Sequence, residues 1–220
     1  MTQIALEDQF DVGAMLILLC AAEGSASHPY THSFELNASP IASRNLADAL
    51  HLFTFLHGAH HGLVDRAAAR NVVAEADDWF ARACAGFAAE RSYMAQLIVA
   101  AGPAPSTPGD AATSAAVLAQ RHSLDTMAQS DRYGCALGAA AGLVLDWLPI
   151  RAVLDLAAER MHLEPAPLLL PGEEETAAML AVLPEQPRLE RTLAFGARQI
   201  LIQHGSLWDL LETRAGARES

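Results

Sequence analysis

Residues 74–101, AEADDWFARACAGFAAERSYMAQLIVAA, decide the fold class. Trp79, Phe80, Ala83, Phe87, Ala88, Met94 and Ile98 recur near helical spacing, so the segment reads as one long amphipathic helix. The stretch Gly102-Pro103-Ala104-Pro105-Ser106-Thr107-Pro108-Gly109 must end it, because proline lacks an amide hydrogen and restricts the residue before it.

The same signals extend in both directions. Upstream, a first helix is expected over about residues 7–22, deep in the core, with Glu7, Asp8 and Asp11 complementing its dipole and Gly24 just past its end. A polar loop over 23–40 follows, and Ser39-Pro40 reads as the N-cap and first turn of a helix over 41–57. Gly58 and Gly62 then break the pattern before a shorter helix over 63–73. Downstream, Asp110 is expected to cap a helix over 111–133, and another follows over 134–163, bent near Pro149. Gly134, Gly138 and Gly142 share one face of it, which invites a neighbouring helix to approach closely. A proline-rich loop over 164–172, a short helix over 173–183, a break over 184–187 and a final helix over 189–213 complete the chain, with a frayed tail over 214–220. With no strand pattern, the fold class is all-α, a multi-helix bundle in one domain, 1–220, divided as 1–40, 41–163 and 164–220.

Composition supports a packed core. The chain is 52% hydrophobic and only 18% charged, the reverse of a disordered segment. A net charge of −12 gives no general attraction for nucleic acid or for anionic membrane surfaces, so neither is an expected partner. All basic residues are arginine, which reads as the codon bias of a GC-rich bacterial genome. Cys20, Cys84 and Cys135 are odd in number and lack CxxC spacing, which points to buried thiols in a reducing, cytoplasmic setting. The apolar runs over 12–22 and 135–145 lack, respectively, a basic leader and the roughly 18 residues of a membrane span.

Several constellations carry candidate chemistry. His57, His60 and His61 lie about one helical turn apart, with Asp65 beyond, and on a continuous helix two or three of them would ligate zinc or iron. Gly58 and Gly62 argue instead for a helix end, where histidines meet the last carbonyls and water. Glu159-Arg160-Met161-His162 has the Glu-x-x-His spacing used in di-iron bundles, which ordinarily need two such motifs and two further glutamates. Glu90-Arg91-Ser92-Tyr93 offers Tyr93 where the second histidine is needed. Asp146 and Arg151 interrupt an apolar stretch and so require buried partners, as an interhelical ion pair or as the anchor of a polar ligand. Cys135 and His122 are not placed together by their spacing, and no GxSxG, Walker A, Rossmann, HExxH or paired CxxC pattern occurs.

The order of long helices, Glu159-x-x-His162 and the mid-helix Glu90 make residues 41–163 resemble ferritin-like helical proteins. The resemblance implies a ferritin-like four-helix core with additional N- and C-terminal helices and, in the family's catalytic branches, iron or manganese held by carboxylates and histidines. Carried over residue by residue, it gives Glu90, Glu159 and His162 as ligands, with His57 or His61 replacing an expected acid. That incomplete set leads to the expectation of a bundle without a standard catalytic centre and without a bound cofactor. A metal-dependent, di-iron-type oxidase or hydroxylase using iron, manganese or zinc comes second. A small-molecule or cofactor-binding bundle resembling the haem oxygenase and thiaminase group comes third. The expected partner is a second copy of the chain in a homo-oligomer.

Overall fold

The computed structural model describes residues 12–71 and 73–219, and among them the regular elements are helices. The decisive segment folds as expected: a 3-10 turn, Ala74–Ala76, leads into α5, Asp77–Ala101 (the fifth α-helix in chain order). Asp77 and Asp78 complement the N-terminal end of its dipole. Trp79, Phe80, Ala83, Phe87, Met94 and Leu97 are buried along one stripe, while Ala88 and Val99 face outward. Gly102, at φ 74°, ends the helix in the left-handed region that glycine adopts without strain.

Before it come α1, Val12–Glu23; α2, Phe34–Asn37; α3, Ala42–His57; and α4, Leu63–Ala69. After it come α6, Asp110–Ala128; α7, Cys135–Arg160; α8, Glu173–Ala181; and α9, Pro187–Glu219. The acids expected to open the first helix lie outside the described residues. Only one side of α1 is sunk in the core, through Leu16, Leu19 and Cys20, because Leu18 is 69% exposed. The loop over 23–40 holds two 3-10 turns, Ser25–Ser27 and Pro29–His32, besides α2. Ser39 does not cap α3; its hydroxyl donates to the Glu35 carbonyl, and the helix starts two residues beyond Pro40. Residues 129–134 separate α6 from α7, and α7 runs through Pro149.

The core centres on α7, which packs along α9 and also touches α1, α3, α4, α5, α6 and α8. By length and composition α7 could cross a membrane, but 78% of its apolar window is buried inside the fold, so it serves as the core helix. Its glycine stripe faces α9. A Cβ on Gly138 would stand 2.2 Å from the Leu193 carbonyl oxygen, and one on Gly142 would stand 2.8 Å from Ala197 Cα. Gly196 returns the contact, since its Cβ would fall 2.1 Å from the Cys135 carbonyl oxygen. Backbone therefore meets backbone within one chain.

The expected frayed tail is instead the last two turns of α9. Arg214 grips Asp48 of α3 with both fork arms, Nε at 2.7 Å and Nη2 at 2.9 Å. Arg218 adds a third bond to Asp48 at 2.7 Å and reaches Asn45 and Thr107. Ion pairing of this kind holds a terminus that local sequence alone would leave loose.

Candidate functional site

A buried polar chain runs from the end of α3 through α9 and α7 to the first 3-10 turn. His57 is the last residue of α3, and Gly58 closes the helix by donating its N–H to the Thr54 carbonyl at 2.8 Å. The His57 ring is thereby turned inward, where its Nε2 lies 2.9 Å from Nε2 of His204, a fully buried residue of α9. His204 Nδ1 lies 2.6 Å from the Asp146 carboxylate of α7. That carboxylate also accepts the Ser25 backbone N–H at 2.6 Å and the Ser25 hydroxyl at 2.7 Å. Gly24 makes the approach possible, since a Cβ there would stand 2.4 Å from an Asp146 oxygen.

Aromatic rings wall the chain on its inner side. Trp147 meets His57 edge-on at 5.4 Å, Phe53 stacks on His57 at 6.5 Å, and Phe53 packs on Trp208 at 4.7 Å. Burial, and then the charge of His204, hold His57 well below the ordinary histidine value, so the ring is neutral. On its outer side His57 lines a recess of about 10 Å³ together with His61, Arg121, Leu124 and Asp125.

A second cluster lies behind Trp147. Glu90 accepts the Trp147 indole N–H at 2.8 Å and an Arg151 N–H at 2.7 Å. Arg151 also donates to Asp155 at 2.7 Å and to the Ala166 carbonyl, and stands 4.2 Å over the Tyr93 ring. Tyr93 completes the square by donating to Asp155 at 2.8 Å. Burial raises the Glu90 carboxyl, against the indole bond and the Arg151 charge.

The five residues considered as metal ligands are not assembled. His57 and His61 share a recess, but His57 spends its Nε2 on His204. Glu90 is held by Trp147 and Arg151. Glu159 and His162 are exposed, and their spacing loses its meaning because α7 ends at Arg160 and His162 turns to φ 60°. Among the described residues no group of three or more histidine, cysteine, aspartate or glutamate side chains is placed to hold a metal ion. Asp146 and Arg151 are both buried, as expected, yet they are not each other's partners. Cys135 lies 3.3 Å from the Met127 sulfur, and His122 is exposed.

Sequence reasoning passes over His204 and Ser25. The available signal for His204 is its position on the apolar stripe of α9, three residues after Leu201 and four before Trp208, both buried. Ser25 has no comparable signal, because its role depends on Asp146, 121 residues away. A separate open groove of about 860 Å³, lined by Asp131, Arg132, Tyr133, Arg188 and Thr192, lies where the link before α7 passes the start of α9.

No curated protein and no solved structure matches the chain. Residues 20–219, which include the whole polar chain and both ion-pair clusters, match one family model, and the protein belongs to that family, the family of unknown function DUF6975.

Proposed function

We propose that the protein is a cytoplasmic helical scaffold without a standard catalytic centre, keeping the helix order of ferritin-like proteins but not their ligand set. The observation that carries this reading is closure. Asp48, Glu90, Asp146, Arg151, His204 and Arg214 all spend their polar atoms on partners inside the fold. The recess that reaches His57 has about 10 Å³, room for about one water, whereas small-molecule sites enclose roughly 300–1,000 Å³. The free thiols Cys20, Cys84 and Cys135 support a reducing compartment. Exposed apolar side chains such as Val99 (84%) and Leu18 (69%) support self-association, which light scattering of the purified chain tests.

Elemental analysis of protein purified without added metal separates this reading from the metalloenzyme. The scaffold is expected to carry iron, manganese and zinc only far below stoichiometry. Stoichiometric metal that is lost in Glu159→Ala or His162→Ala would overturn it in favour of the metal-dependent reading. The groove beside Arg132 and Arg188 favours a second reading, a site for a small anionic ligand, because its volume falls in the range of such sites. A thermal-shift panel of carboxylates and phosphates tests it, with any stabilisation expected to vanish in Arg188→Ala.

A further inference from the structure

His57 and His204 meet nitrogen to nitrogen. A contact of 2.9 Å between two imidazole Nε2 atoms holds one proton, with one ring donating and the other accepting. The other side of His204 is already committed, because its Nδ1–H donates to an Asp146 carboxylate that also takes both donors of Ser25. Two charge states preserve the contact: both rings neutral, or one ring an imidazolium. A second imidazolium cannot be accommodated, because two N–H groups would face each other across 2.9 Å with a positive charge on each ring.

The surroundings do not relieve that conflict. From α7, Asp146 is bonded to His204 and not to His57. From α5, Glu90 lies behind Trp147 and is paired with Arg151. From α6, Arg121 and Asp125 line the recess at opposite sign; from α4, Arg66 pairs with Asp125 at 3.5 Å and donates to the His61 carbonyl at 3.0 Å; and His61 joins them from the turn after α3. On the far side of Asp146, the Cys20 thiol of α1 is pushed up to about 12 by burial and by the charges of Asp146, Glu173 and Glu23, so it stays neutral.

We propose that the His57–His204 contact is an acid-operated latch: one proton between the rings holds the end of α3 against α9, and a second proton releases it through the recess, loosening the turn that follows. The path is short, since His57 already lines that recess and Gly58 and Gly62 flank the turn. The closed form keeps His57 neutral well below its ordinary value of 6.5, whereas the released ring takes its proton at that value. The latch is therefore fully favoured above 6.5 and weakens as the pH falls, with the opened form growing about tenfold per pH unit for one proton taken up.

Amide hydrogen exchange of the full chain from about pH 8 down to about pH 5 tests this on the segment 57–62. In the native protein, opening corrected for intrinsic exchange is expected to rise about tenfold per pH unit below the histidine range. His57→Gln keeps both a donor and an acceptor for the His204 ring but does not titrate, and should abolish the rise. His122→Gln removes an exposed histidine that does not line the recess and should leave it unchanged. A flat profile in the native protein, or the native slope in His57→Gln, would overturn the latch. If His57→Gln does not fold, the proton resonances of the His57 ring in the native protein decide: a ring that titrates at its ordinary value while the segment stays closed also overturns it.

Discussion

Asp48 and Asp146 are each only 1% exposed, and α9 reaches both, yet it neutralises them with different chemistry. Asp48 receives two guanidinium groups, from Arg214 and Arg218, whose charge persists at any pH a protein experiences. Asp146 receives one imidazole and the two donors of a serine. The first arrangement is fixed, while the second depends on where protons sit. One helix thus carries a permanent clamp near its end and a proton-dependent contact nearer its middle.

The largest expected effect breaks the permanent side. Asp48→Ala removes the buried anion shared by Arg214 and Arg218, leaving Arg214 only the half-exposed Asp110 and Arg218 only the neutral Asn45 and Thr107, and should cost about 3–5 kcal/mol of unfolding free energy in denaturant titrations. A loss under about 1 kcal/mol would show that the cluster behaves as a solvated surface pair. Asp146→Asn preserves shape but removes the anion beside His204, and a loss of about 1.5–3 kcal/mol is expected from the same titrations.

Gly138→Ala tests whether the two regions are held in register by one backbone contact. Its Cβ would meet the Leu193 carbonyl, so a loss of about 1–3 kcal/mol is expected. His57→Gln should cost about 0.5–1.5 kcal/mol above the histidine range, and the gap to the native protein should narrow on acidification as the native latch weakens. The smallest effect has the opposite sign. Gly205 lies inside α9 with nothing near its missing Cβ, so Gly205→Ala should stabilise by about 0.5–1 kcal/mol and leave both clusters intact.

The sequence made parts of this comparison legible. Caps, proline breaks and periodicity place most helices, and the spacing of Gly134, Gly138 and Gly142 correctly announces a close helix contact. Asp146 and Arg151 stand out because charges in an apolar run need partners. Which partners they find does not follow, since Arg151 bonds Glu90 across 61 residues and Asp146 bonds His204 across 58. The clamp was hidden for a related reason. Arg214 and Arg218 near a chain end look like a solvated last turn until Asp48, 166 residues from Arg214, is brought beside them. The histidine cluster fails as a ligand face because Gly58 ends α3 at His57, and the same ending turns His57 inward toward a residue that the sequence does not mark.

The interleaved glycines of α7 and α9 carry a mechanical consequence. Where Gly138, Gly142 and Gly196 interleave, backbone approaches backbone so closely that neither helix can slide along the other without collision. The two helices run together as a girder through the middle of the molecule. The end of α3 is fastened to that pair by aromatic packing, Phe53 on Trp208 and His57 on Trp147, and by one contact that a proton can undo.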